Sequence, residues 1–374
     1  MKGKRFGLSD RAAVWISLGL LLAAGLYTLL WPHGDFSGAE RRYLNAAPAA
    51  PSLADWKTDK QSEEWLRDRV PFRTELVAAD AVANAATGRR TQLGAWPVGG
   101  AIVEKPVKAP ANGRAETAEK RLEQFGALAD RLGVPWNAVV PRSHGWLLRG
   151  GMNSLLRGQY EPEQEIYGVL EGNLHFLDVL PEGSDPEKVY YRTDHHWTLD
   201  GAYLAYAAIC GEDGLPVLPL EDFEVSRFEG FSGTTRSRSG LPVFRTDTLV
   251  CAEPAGPVTL TLEDGTVYDH LIFPEKAKTY DGYAVYLGGD YGMLEIRNDN
   301  APGGTLLVFK DSFADCLLPL LSADYRRIVA VDARYYRGSF SDAAAAAGQV
   351  DRILCIYSPD SLVNDTQIAG KAGR

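Results

Sequence analysis

An aspartate, a pair of histidines and a distant serine are the residues of this chain best suited to chemistry. Asp194 stands two positions before His196 in Thr193-Asp194-His195-His196-Trp197-Thr198, at the mouth of a predicted helix. Ser312 lies far downstream, in Val308-Phe309-Lys310-Asp311-Ser312-Phe313, between a predicted strand and a predicted helix. A serine hydroxyl alone is a weak nucleophile and needs a base within hydrogen-bond reach, usually an imidazole. The imidazole needs a carboxylate to fix its tautomer and stabilise the imidazolium. A spacing of two on a bent backbone lets Asp194 and His196 aim into one cleft. Ser312 falls at a strand's carboxyl end, where α/β folds keep their sites. Its amide, at the positive end of the predicted helix, is placed to hold an oxyanion. The residues read as a Ser-His-Asp site in the chain order Asp, His, Ser.

The same run has other readings. Asp194, His195 and His196 are donors a metal accepts, and the DHH phosphoesterases use such a run with manganese. Those enzymes need further aspartates earlier in the chain, and no such cluster falls on a predicted strand end here. The DHHC acyltransferases need a cysteine where Trp197 stands. A helix cap with a structural histidine is the plainest alternative. The expectation is a site with no metal and no cofactor.

The elements that must position these residues follow from the rest of the chain. It has 374 residues and a formal charge of −10, with no long basic run past the N-terminus, which argues against nucleic acid as a partner. Ala12 to Trp31 carries no charge and is long enough to cross a bilayer. Lys2, Lys4, Arg5 and Arg11 precede it, so the positive-inside rule puts the N-terminus in the cytoplasm and the bulk outside. A cleaved signal peptide is the competing reading, but the apolar run exceeds the usual signal core. The expected layout is a tail at 1–11, a membrane anchor at 12–31, a stalk at 32–60 and an extracytoplasmic domain at 61–374. Cys210, Cys251, Cys316 and Cys355 form no CxxC pair, so a zinc knuckle is not expected.

Within that domain, Glu116–Leu132 has helical periodicity and Trp136–Val140 reads as a buried strand. Pro162–Leu170 and Leu199–Cys210 read as helices, the latter capped by Thr198. Residues 213–304 are rich in Gly, Pro, Ser and Thr with short alternating runs, which predicts a β-rich insertion. From Thr305 onward strands alternate with helices: Thr305–Phe309, Phe313–Leu321, Arg327–Val331, Ser341–Ala347 and Ile353–Tyr357. That rhythm predicts a mostly parallel sheet flanked by helices.

The run Thr193–Tyr203 and the later Lys310-Asp311-Ser312-Phe313-Ala314 resemble the DHHW proteins. These are similar to the SGNH-hydrolase-like domain of the alginate O-acetylation proteins. The resemblance spans roughly residues 60–360, with Asp68-Arg69-Val70-Pro71-Phe72-Arg73 and Phe231-Ser232-Gly233-Thr234 as looser matches. It implies an SGNH-hydrolase-like α/β fold. It makes Asp194 the orienting acid, His196 the base and Ser312 the nucleophile, with His195 and Trp197 supporting them. Gly289 would line the oxyanion hole or the cleft, as would Arg334 and Tyr335. Asp290 and Lys310 depart from the family pattern, in which an amide and a glycine are usual. The implied activity is O-acetyl transfer or ester hydrolysis on a cell-surface polysaccharide or other glycan. A membrane-bound O-acyltransferase would supply the acetyl groups. The alternative is a non-catalytic glycan-binding or assembly factor that keeps the fold.

Overall fold

The computed structural model describes residues 8–30, 34–47, 56–91, 94–104, 113–152, 157–181, 183–242 and 245–372. Lys2, Lys4 and Arg5 of the predicted tail, Trp31, and residues 48–55 of the predicted stalk lie outside them. The chain divides into two compact units, one of residues up to 93 with 240–242, the other of the remainder. The division falls inside the predicted 61–374 domain.

The first unit begins with the helix Leu8–Leu30, whose stretch Arg11–Leu30 is long and apolar enough to cross a membrane. Inside the segment read as a stalk, β1 (Phe36–Ser37) and β2 (Arg42–Tyr43) pair as an antiparallel hairpin. Ion pairs explain its order. Arg42 forks onto the carboxylate of Asp68, and Asn45 donates to the same group from its backbone and its side chain, both at 2.8 Å. Arg73 pairs with Glu40. Asp68 directly follows the helix Trp56–Arg67, and Arg73 opens the helix Arg73–Ala86.

The second unit is built on an eight-stranded mixed sheet. A short hairpin, β3 (Ala95–Val98) and β4 (Ala101–Glu104), precedes it. The parallel half runs β13 (Tyr325–Asp332), β12 (Gly303–Lys310), β14 (Arg352–Ile356), β5 (Trp136–Val139) and β6 (Phe176–Leu177). These strands read as continuous apolar runs because both their faces are covered. Their residues alternate between two cores. Leu306, Val308, Ile328, Ala330, Leu354 and Ile356 face the helix Leu199–Asp213. Leu307, Phe309, Val329, Val331, Ile353 and Cys355 face the helices Arg114–Leu132 and Phe340–Ala347.

The β-rich segment does two things. β7 (Phe223–Phe231) and β8 (Asp247–Pro254) pair as a separate ribbon. β9 (Thr259–Leu262), β10 (Val267–Tyr268) and β11 (Met293–Arg297) extend the main sheet antiparallel, through β11 on β13. The predicted insertion therefore contributes three strands of the sheet itself.

After β12 the chain crosses to β13 on one side, then over the other face to β14 on the opposite side. The carboxyl end of β12 is thus a point where the winding reverses and opens a crevice. Ser312 follows at that end. The four cysteines are buried and unbridged.

Candidate active site

The turn carrying Asp194 and His196 is fixed from several sides. Asp247 accepts hydrogen bonds from the Arg192 amide and from the amide and hydroxyl of Thr193. Thr198 caps the following helix by accepting from the Gly201 amide. Fully buried Trp197 donates its indole N–H to the carbonyl of Phe313 at 2.9 Å, tying this turn to the one that bears Ser312.

The predicted helix Phe313–Leu321 is not continuous. Ser312–Ala314 forms a 3₁₀ turn capped by Asp311, and only Leu318–Leu321 is α-helical. Asp311 holds the bend by accepting from the amides of Phe313 and Ser358 at 2.9 and 2.8 Å. A single turn carries little macrodipole, so the expected helix-dipole support for an oxyanion is absent here. The Ser312 amide still heads the turn, where it has no partner within the turn.

Asp194, His196 and Ser312 come together in line. Nδ1 of His196 donates to Oδ1 of Asp194 at 2.6 Å. The Ser312 hydroxyl donates to Nε2 of His196 at 2.8 Å. The first bond sets the tautomer the second requires. Asp194 is fully buried, and also accepts from the His196 amide at 3.0 Å and the Thr234 amide at 2.6 Å. Burial alone would raise its pKa, but the facing imidazoles and these donors outweigh it and hold the carboxyl well below its usual range. The Tyr283 ring lies flat on the His196 imidazole, 3.8 Å between centroids and 5° from parallel.

His195 points differently from its neighbour. Its side chain is 35% exposed, and its Nδ1 lies 3.6 Å from Asp194, beyond hydrogen-bond reach. Burial and the adjacent His196 push it down to about 4. Asp194, His195 and His196 offer ligand atoms within 4.8 Å of one another. A cation held there through Nδ1 of His196 would move the ring proton to Nε2. Nε2 could then no longer accept from Ser312, so the metal and serine readings exclude each other at one proton.

His196 and Ser312 line a cleft of about 430 Å³. Gly289, Arg334 and Tyr335 line it too. The Gly289 amide bonds weakly to the Tyr286 carbonyl at 3.3 Å, so its place is in the wall. Leu287, Gly288 and Gly289 all have positive φ, a turn that requires the glycines. Arg334 is forked onto Asp332 and lies 3.5 Å from Asp290, to which the Tyr335 hydroxyl donates at 3.3 Å. The departure at Lys310 also has its place: it is buried, with Nζ 2.5 Å from Asp315 and 3.9 Å from Asp332.

Sequence reasoning missed Tyr283, His144 and Glu104 as cleft residues. Gly233 and Thr234 were looser family matches with no expected role. Thr234 donates to Asp194, and Gly233 lets the backbone pass against it: a Cβ on Gly233 would fall 2.3 Å from the Asp194 Cβ. A helix start three residues past a buried aromatic was the available signal for that contact.

This is an SGNH-like α/β fold with an acid, a base and a hydroxyl in line at the carboxyl end of its central strand. Residues 174–331 match the family model described as DHHW protein, and the resemblance read from the sequence is borne out over that stretch. A DHHW family protein from Eubacterium siraeum is 21% identical with a TM-score of 0.55, over 72% of this chain and 91% of its own. PatB1 of Bacillus cereus is 20% identical with a TM-score of 0.60, over 73% of this chain and 98% of its own. PatB1 is also known with a sulfonyl adduct. The O-acetyltransferase domain of Pseudomonas putida AlgJ is 14% identical with a TM-score of 0.41, over 75% of this chain and 99% of its own. At these identities the likeness to the Eubacterium siraeum protein and to PatB1 is one of fold. No curated protein matches the chain in sequence.

Proposed function

We propose that this protein is an SGNH-type acyl-transfer enzyme, working by O-acetyl transfer or ester hydrolysis on a glycan outside the cell membrane. One observation carries the reading: the Asp194–His196–Ser312 line, with both bonds at hydrogen-bond length. The Ser312 Oγ attacks the acetyl carbonyl and its proton passes to Nε2 of His196. The donor's oxygen leaves with that proton, and an acetyl ester on Ser312 remains. An acceptor hydroxyl then gives its proton to Nε2 and takes the acetyl group, restoring the serine. A sugar hydroxyl gives transfer; water gives hydrolysis. Asp194 stabilises the imidazolium formed in both halves, and the electron-rich face of Tyr283 adds to that. The Ser312 amide supports the oxyanion.

The layout proposed is a chain anchored by the N-terminal apolar helix, with a cytoplasmic tail at 1–11 and the cleft on the far side. A membrane-bound O-acyltransferase is the proposed source of acetyl groups.

The test is turnover of 4-nitrophenyl acetate by the detergent-solubilised full chain and its Ser312→Ala variant. The expected loss is about a thousandfold or more. Equal rates would defeat the nucleophile assignment. A sulfonyl fluoride should add to Ser312, read as a mass shift on the peptide that contains it. Added Zn²⁺ or Mn²⁺ should not raise the rate; activation would favour the metal reading. Product analysis with an oligosaccharide present separates transfer from hydrolysis.

A further inference from the structure

One wall of the cleft is made by residues that the acyl-transfer steps do not use. β4 supplies Glu104, and the helix His144–Leu148 packed against that strand supplies His144. His195 completes the wall, its ring 4.0 Å from that of His196. All three line the cleft. Each carries a buried polar atom with no hydrogen-bond partner: Oε1 of Glu104, Nδ1 of His144 and Nδ1 of His195. His144 is only 5% exposed, and its ring lies stacked on Tyr190, 8° from parallel. Buried polar groups are normally satisfied, and leaving one unpaired costs stability. These atoms lie beneath the surface of the wall, so a ligand in the cleft would meet the other polar atoms of the same three residues and the charge around them.

The chemistry of that ligand follows from the same wall. Glu104 accepts only, and a neutral imidazole accepts at one nitrogen and donates at the other. Hydroxyl groups satisfy both kinds of partner. A carboxylate does not, because it cannot donate to Glu104. The rest of the lining points the same way. Asp281, Asp290, Asp311, Asp315 and Asp360 join Glu104 in the cleft, against the guanidiniums of Arg238 and Arg334. Lys310 balances Asp315 from behind, and the lining stays acidic. Arg238 is half exposed and lies 3.6 Å from Glu104.

We propose that Glu104, His144 and His195 form the acceptor subsite, selecting an uncharged, hydroxyl-rich sugar ring over a uronate. This rests on the acyl-transfer reading, since it names the acceptor of that reaction. Such a ring held beside His195 presents a hydroxyl to the neighbouring His196.

The test separates the two ideas by measuring binding on the full-length Ser312→Ala chain, where no turnover occurs. Cellotriose, chitotriose and maltotriose serve as neutral probes and trigalacturonate as the anionic one, titrated calorimetrically at low salt. At least one neutral trisaccharide should bind about tenfold or more tightly than trigalacturonate. Glu104→Gln keeps the shape and removes the charge; His144→Phe keeps the stacked ring and removes its nitrogens. Each should weaken the neutral sugar about tenfold, with melting temperatures showing that both variants fold. In the Ser312-containing chain the same changes should appear in acceptor KM rather than kcat. Trigalacturonate binding as tightly, no neutral sugar binding, or both variants binding like the parent would each overturn the proposal. None of those outcomes bears on Ser312, which the ester assay tests alone.

Discussion

Gly233→Ala is the sharpest probe of how the acid is held. A Cβ at that position would lie 2.3 Å from Cβ, 2.4 Å from Oδ2 and 2.7 Å from Cα of Asp194. Ordinary contact begins at 3.4 Å, so the two groups must separate by about 1 Å. Residue 233 has little room to retreat. Its amide donates to the Thr193 hydroxyl at 3.0 Å, and its carbonyl accepts from the Ser237 amide at 3.2 Å. The Thr234 amide is bonded to Asp194 itself. The displacement therefore falls on Asp194 and, through the 2.6 Å bond, on the His196 ring. A misplacement of about 1 Å in catalytic geometry costs about a hundredfold in rate. The expected result is a hundredfold fall in kcat on 4-nitrophenyl acetate in a chain that still folds. Gly211→Ala is the control. Its Cβ meets nothing within 4 Å, and it sits within the helix Leu199–Asp213. It should leave the rate alone and add up to about 1 kcal/mol of stability. A Gly233→Ala chain with native kcat and native melting temperature would refute the claim that Asp194 works from a fixed position.

Three further outcomes are expected. Asp194→Asn should keep the shape but favour the wrong imidazole tautomer, lowering kcat about a thousandfold or more, as read in the same ester assay. Lys310→Met should cost about 3 kcal/mol in a denaturant titration, because it strips Asp315 and Asp332 of a buried cation. Glu163 is fully buried, and burial pushes it up to about 7 against the bonds it accepts from Ser143. A raised carboxyl favours the fold below its unfolded value of 4.5, and that contribution is lost as pH rises through 7. Glu163→Gln should therefore flatten the decline in melting temperature between those limits; an unchanged decline would show that another group drives it.

Much of the site was legible because its signals are local. Asp194 and His196 are fixed to one turn by their spacing, and Thr198 marks the helix start that bends it. The apolar run before Ser312 marks a strand buried on both faces, so the serine had to fall at its end. The strand-helix alternation after residue 303 likewise reports periodicities of two and of about 3.6, which adjacent residues encode by themselves. The break after Ser312 was harder to see. Phe313–Leu321 has the composition of a helix, yet Asp311 turns its carboxylate to the amides of Phe313 and Ser358 and fixes a tighter turn.

The sequence alone determined which residue types could form a relay and which elements would carry them. The tertiary structure decided what surrounds the relay. Glu104, His144 and Tyr283 come from segments far from either motif, and nothing in their local pattern marks them as cleft residues. Lys310 and Asp290 looked like departures from a family pattern, and became members of a charged group with Asp315, Asp332 and Arg334. The reason is physical. Spacing fixes neighbours along a strand or a helix turn, whereas strand order and crossover side fix which distant elements share an edge, and a cleft is made at edges.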